Sequence, residues 1–228
     1  MTTLFCLPHA GGGISAYAGW SAEAPAEVDV RPVRLPGRDG TDGAACHRMT
    51  DLIAALVDTV PDAGTSFALL GHSLGAVVAF QLANALAERG NGPHMLFVSG
   101  SPAPAKVARP DTRVGDLPDE EFLTAIGRLG GSPPELLDEP ENAAALLPRL
   151  RADFAVAETY EYLPGTTVSC PISAFAGSDD PQVGAAELDE WRDYSTAWFR
   201  RRLLPGDHFY LTTARPLLLR AIGKDLRR

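Results

Sequence analysis

The run Phe67-Ala68-Leu69-Leu70-Gly71-His72-Ser73-Leu74-Gly75-Ala76-Val77-Val78-Ala79-Phe80 decides the architecture. Its first four residues are a short apolar stretch, as a buried strand is, and from Leu74 to Glu88 the chain is apolar almost all round, as a helix packed on a sheet is. Between them stands G-x-S-x-G. The pattern alone is weak, but a strand running straight into it and a helix leaving it form the setting of a nucleophile elbow. Glycines flank such a serine because the turn is sharp enough for neighbouring Cβ atoms to collide. Ser73 then falls at a helix N-terminus, where unpaired N–H groups and the helix dipole favour developing negative charge.

Outward from this run the chain alternates. Thr3–Pro8 reads as a first strand ending in His9-Ala10-Gly11-Gly12-Gly13, with a helix expected over Ser15–Glu23 and a second strand over Val28–Leu35. Leu52, Ile53, Leu56, Val57 and Val60 share one helical face. Ser66–Leu70 is a third strand and Met95–Val98 a fourth. Strands over Ile172–Ala176 and Phe199–Leu204 follow, separated by a helix around Glu187–Trp198, and a last helix runs from about Ala214 to Leu226. Strands alternating with helices predict an α/β fold with a doubly wound, mostly parallel sheet.

Residues 101–165 break the pattern. They hold 12 of the 29 acids, 6 of the 20 bases and 9 of the 19 prolines, so most of the net charge of −9 lies there. Strand patterns are absent, whereas Phe122, Leu123, Ile126 and Leu129 lie on one helical face. Prolines 118, 133, 134, 140 and 148 are expected to chop the stretch into short helices. The chain therefore reads as a sheet core over 1–100 and 166–228, interrupted by a helical lid over 101–165.

Composition excludes several classes. The chain has 228 residues, 45% apolar and 21% charged, which suits one globular domain. No apolar run approaches the roughly 20 residues of a membrane span, and the N-terminus has no basic region followed by a long apolar stretch. The scattered Cys6, Cys46 and Cys170 fit a reducing compartment, so the cytoplasm is expected. An acidic balance argues against nucleic-acid partners. No metal-ligand spacing occurs, and His9–Gly13 matches neither phosphate-cradle motif, so no metal and no cofactor are expected.

A serine nucleophile needs a base, and the base a carboxylate. In α/β-hydrolases these follow in the order Ser, Asp or Glu, His. His208, in Pro205-Gly206-Asp207-His208-Phe209, is the late loop histidine, whereas His94 comes too soon and starts a strand. For the acid, Gly177-Ser178-Asp179-Asp180 follows an apolar strand. Asp180 is preferred, with Asp179 open and Asp207 weaker because adjacent side chains point apart. The oxyanion donors would be the N–H of Leu74 and one from the His9–Gly13 loop.

The chain resembles the type II thioesterases, stand-alone editing hydrolases of polyketide and non-ribosomal peptide biosynthesis. The resemblance spans nearly its whole length. It rests on Leu7-Pro8-His9-Ala10-Gly11-Gly12, Leu35-Pro36-Gly37-Arg38, Gly71-His72-Ser73-Leu74-Gly75-Ala76, Leu117-Pro118-Asp119-Glu120-Glu121-Phe122 and Leu150-Arg151-Ala152-Asp153. Gly177–Asp180, Trp191 and Pro205-Gly206-Asp207-His208-Phe209-Tyr210-Leu211 complete it. It departs after Arg38, where Asp39-Gly40-Thr41-Asp42-Gly43 replaces the glutamate and further arginine usual in relatives.

The resemblance implies an α/β-hydrolase fold with a mobile lid. It also implies a Ser73, Asp180, His208 triad, an oxyanion hole from the N–H groups of Ala10 and Leu74, and hydrolysis of acyl thioesters on the phosphopantetheine arm of an acyl or peptidyl carrier protein. A monomer is expected. The alternatives are a carboxylesterase or an acyl-coenzyme A thioesterase with the same triad, or a catalytically silent acyl-binding protein; a transferase or cyclising fate of the acyl-enzyme is also open. Carrier proteins are typically acidic, as this chain is, so steering needs a local basic patch. Arg200, Arg201 and Arg202 are the densest basic run, to be weighed against three solvated arginines on an edge strand.

Overall fold

The computed structural model describes residues 1–60, 66–107, 113–128 and 140–228, the side chains of 140–144 excepted. Among these, β1 (Thr2–Leu7), β2 (Val28–Pro32), β3 (Phe67–His72), β4 (Met95–Ser99), β5 (Ile172–Gly177) and β6 (Phe199–Leu204) form one sheet. Its order is β2-β1-β3-β4-β5-β6 and every pairing is parallel. The chain steps outward from β1 to β2 and then crosses back to β3, so the winding direction reverses between β1 and β3. In open parallel sheets the crevice beyond the carboxyl ends of such strands is the place for a site.

Parallel neighbours require crossovers, and helices supply them on both faces. α1 (Trp20–Glu23), α2 (Met49–Leu56) and α3 (Leu74–Glu88) precede β4; α4 (Asp119–Arg128) and α5 (Pro140–Glu158) lie between β4 and β5. α6 (Ala185–Asp189) leads toward β6, and α7 (Tyr210–Thr213) and α8 (Arg215–Leu226) end the chain. Strand alternation feeds two cores: Phe5, Leu7 and Leu69 pack with α2 and α3, while Leu4, Cys6 and Leu70 pack with Trp20 of α1 and Leu218 and Ile222 of α8. No helix among the described residues is long and apolar enough to cross a membrane.

Several expected boundaries move. The helix over Ser15–Glu23 is a 3₁₀ turn (Ile14–Tyr17) followed by α1, and the helix around Glu187–Trp198 is α6 followed by a 3₁₀ segment (Glu190–Tyr194). β2 stops at Pro32, short of the expected Leu35, although the Val33 N–H still donates to the Cys6 carbonyl of β1 at 2.8 Å.

The larger correction concerns residues 101–165. Leu129, Pro133 and Pro134 lie outside the described residues, but Pro148 does not chop its segment: α5 runs through it for 19 residues. A proline inside a helix removes one hydrogen bond and costs about 3 kcal/mol. Burial of Leu150, Ala152 and Val156, which follow it, offsets that cost. Phe122, Ile126, Val114 and Leu150 form a small core of their own between α4 and α5.

The Arg200–Arg202 run is neither a free patch nor three solvated side chains. Arg200 and Arg202 both reach the buried Asp225 of α8, which also accepts a hydrogen bond from the Ser173 hydroxyl at 2.9 Å, and Arg201 pairs with Asp189 at 3.0 Å. Burial alone would raise the Asp225 carboxyl, but hydrogen bonds from Arg202 and Ser173 and the charges of both arginines hold it below its ordinary value. Its stabilising contribution is therefore complete above the usual carboxylate range and is lost as pH falls through it. Asp225→Ala should cost about 2–4 kcal/mol, because it leaves two half-buried guanidinium groups unpaired. Urea denaturation at pH 7 measures this, and a loss under 1 kcal/mol would contradict it.

Candidate active site

The elbow is made by close backbone approach. A Cβ on Gly71 would lie 1.9 Å from the Gly75 carbonyl oxygen, and one on Gly75 would lie 2.4 Å from the Leu7 carbonyl oxygen. Neither contact is tolerable, so only glycine lets α3 start hard against the ends of β3 and β1. Ser73 itself takes φ 55° and ψ −123°, a strained positive-φ conformation for a residue with a side chain. Its N–H donates to the Ser99 carbonyl at 2.7 Å, which pins the strained residue to the end of β4. Leu74 is the first residue of α3, so its N–H is one of the helical donors with no intrahelical acceptor.

Ser73, Leu74 and Ala10 line one cavity of about 160 Å³ together with Val77, Gly100 and Ser101. Pro102 and Val107, and Asp153, Phe154 and Ala157 of α5, supply the wall from the insertion, and Gln182 closes one side. An open groove of about 790 Å³ between α2, α3 and residues 159–166 is larger, but it contains none of the site residues.

The two adjacent aspartates part company. Asp180 Oδ2 accepts a hydrogen bond from His208 Nδ1 at 2.9 Å, and both side chains are almost wholly buried. Asp180 Oδ1 accepts the N–H groups of Gln182 (2.8 Å) and Val183 (3.2 Å), so the carboxylate is held from both sides. Asp179 instead accepts from the hydroxyl of Ser178, and Asp207 caps its own turn by accepting the Phe209 N–H. His94 lies at the opposite, amino-terminal edge of the sheet, its N–H bonded to the Phe67 carbonyl. His208 Nε2 is buried and hydrogen-bonds to no described residue. A Cβ on Gly100, a cavity residue, would lie 3.3 Å from His208 Cε1, so the imidazole stands just behind the cavity wall.

Two further histidines pack there. The His72 ring lies 5.1 Å from His208 and 6.0 Å from His9, centroid to centroid, and Phe209 covers all three. His72 Nδ1 is 2.9 Å from the Ser99 hydroxyl, which is 2.6 Å from the buried Tyr210 hydroxyl. Burial, then the nearby His208 and Arg38, push His9 down to about 4; burial, then His208 and His9, push His72 well below its ordinary value. Both are uncharged supports at neutral pH.

Sequence reading missed one element. Arg38 and Asp153, 115 residues apart, form a buried bidentate ion pair at 2.5 and 2.8 Å. Both stand in segments that carry the family resemblance, and that was the available signal. Trp191 also gains a task, since its indole N–H holds the Ser101 carbonyl at 2.9 Å and so shapes the cavity rim. The divergent loop after Arg38 closes on itself: Thr41 Oγ1 donates to the carbonyls of Leu35 and Arg38, and Asp39 accepts the Ile14 N–H.

Comparison with known proteins agrees with this architecture. The family model described as "Thioesterase domain" matches residues 2–226. Gramicidin S biosynthesis protein GrsT of Aneurinibacillus migulanus is 37% identical over 230 residues, which cover 98% of this chain and 88% of that protein. Thioesterase PikA5 of Streptomyces venezuelae is 38% identical over 212 residues, 91% of this chain and 75% of that one. Among solved structures, the RedJ thioesterase from the prodiginine pathway of Streptomyces coelicolor superposes with a TM-score of 0.88 at 36% identity, covering 98% of this chain and 89% of that one.

Proposed function

Because the chain belongs to the thioesterase family, and is a thioester hydrolase, we propose that it clears acyl groups from the phosphopantetheine arms of carrier proteins in polyketide or non-ribosomal peptide synthesis, using Ser73, His208 and Asp180. The observation that carries the reading is a strained serine and a helix-N-terminal N–H lining one small cavity, with a buried histidine–carboxylate pair just behind its wall at Gly100. The place of its relatives in gramicidin S and prodiginine biosynthesis supports the carrier-bound substrate. The place of work is the cytoplasm.

As the Ser73 Oγ–C bond forms, the hydroxyl proton passes to His208 Nε2, and Asp180 holds the resulting imidazolium in orientation. The N–H groups of Leu74 and Ala10 receive the oxyanion, each contributing about 3 kcal/mol. Collapse breaks the C–S bond, and the departing thiolate takes the proton from His208. Water then attacks the acyl-enzyme, again giving a proton to His208, and the second collapse returns that proton to Ser73 Oγ and frees the acid. Residues 101–165 act as the lid, since α5 provides one wall of the acyl cavity. The hydrogen bond from Ser73 Oγ to His208 Nε2 forms when substrate fills the cavity.

Intact mass spectrometry of short-acyl carrier proteins, with Ser73→Ala as the blank, tests the substrate. Acyl loss with kcat/KM at least 10-fold above that for the matching acyl-coenzyme A or simple ester is expected. A preference for the simple ester would overturn it.

A further inference from the structure

The His9–Gly12 loop is a four-residue turn closed by the Gly12 N–H donating to the His9 carbonyl at 3.0 Å. Gly11 has φ 74° and Ala10 a negative φ, which makes it a type II turn. Type I and type II turns differ by a half-rotation of the central peptide, here Ala10–Gly11. The N–H of that peptide donates to Asp153 Oδ2 at 2.7 Å, and the Arg38 guanidinium, bound bidentately to the same carboxylate, also donates to the Gly12 carbonyl at 2.7 Å. One buried ion pair therefore grips the turn at its middle and at its end. Asp153 belongs to α5, whereas the turn follows β1 and Arg38 follows β2, so three distant segments meet at this point.

We propose that Arg38 and Asp153 are positioning residues that lock the Ala10–Gly11 peptide in its type II orientation, so that the oxyanion hole is complete only with α5 docked. A neutral packing element would not need a carboxylate aimed at a backbone N–H. With the carboxylate removed, the central peptide is free to rotate and the loop bearing the Ala10 N–H loses its anchor. The inference rests on the Ser73-centred mechanism above.

The test separates support of the fold from support of the turn. A buried ion pair exchanged for apolar residues of similar volume usually keeps or gains stability, so Arg38→Met/Asp153→Leu should melt within a few degrees of the wild type. It should nonetheless lose kcat about 100-fold on a short-chain acyl-coenzyme A, with KM changed less than about 3-fold, because the oxyanion contact is lost while the leucine replacing Asp153 keeps an apolar surface on the cavity wall that Asp153 shares with Phe154 and Ala157. Wild-type kcat in the folded double variant overturns the proposal. Should that variant not fold, Asp153→Asn and Asp153→Ala decide the matter. Asparagine keeps a carbonyl acceptor for the Gly11 N–H, and its kcat should exceed that of alanine at least about 10-fold at equal KM; equal values per folded molecule refute the clamp. Ser73→Ala runs alongside: activity there removes the mechanism itself, whereas an inert Ser73→Ala beside a fully active apolar pair removes the clamp alone.

Discussion

Asp180→Asn is expected to lower kcat about 10⁴-fold, while Asp179→Asn leaves it within about 3-fold of the wild type. The two aspartates are neighbours, so a general effect of charge near the site would hit both. Only Asp180 accepts the His208 Nδ1 proton, and an amide there presents either a donor or a weaker acceptor, which favours the wrong imidazole tautomer. Two backbone N–H groups already hold Oδ1, so the side chain has no freedom to compensate. Ser73→Ala should be more severe, roughly 10⁶-fold in kcat, because no acyl-enzyme forms. Single-turnover deacylation of an acyl-coenzyme A measures all three, and comparable losses for Asp179 and Asp180 would remove the assignment.

The second large effect is on acid stability. Unfolded, His9 takes up a proton near pH 6.5; folded, it stays neutral until pH is about 4. Its contribution is thus intact above 6.5 and drains as pH falls from 6.5 to about 4. Two and a half pH units correspond to about 3 kcal/mol from this residue, and His72, shifted in the same direction, adds to it. Against a typical domain stability of roughly 5–15 kcal/mol, that is a large share. Urea midpoints at pH 7.5 and 4.5 should differ accordingly, and His9→Gln should flatten the difference by up to about half, with His72 supplying the rest. An unchanged pH slope in that variant would show that the loss arises elsewhere.

Legibility followed locality. Phe67 to Glu88 announced strand, elbow and helix because every constraint on that stretch, apolar burial, tight glycines and a helix start, acts within a few residues. The α/β alternation, the late histidine and the glycine-rich loop were readable for the same reason. Asp179 and Asp180 were harder, since two adjacent carboxylates differ only in which way each side chain points. That direction is decided by the pairing of residues 178–179 with Leu204 and Gly206, through the Ser178 and Asp179 N–H groups. Pro148 misled because helix propensity is local, whereas α5 is held by burial of Leu150 and Val156 against other elements.

The charge pattern shows the same division. Composition placed most of the net negative charge in residues 101–165, and that remains a property of the sequence. Whether Arg200–Arg202 was a surface free to meet an acidic partner depended on Asp225 and Asp189, which the chain brings to them from other helices.

By itself, then, the amino-acid order determined the fold class, the strand–elbow–helix around Ser73, the late loop histidine and the glycine-rich turn, because periodicity, steric exclusion and motif order are short-range physics. The tertiary structure alone paired His208 with Asp180 and not Asp179, neutralised His9 and His72 by burial, and joined Asp153 to Arg38 and Gly11. Those outcomes depend on electrostatics and hydrogen bonding across 28 to 142 residues of chain, for which no local pattern exists.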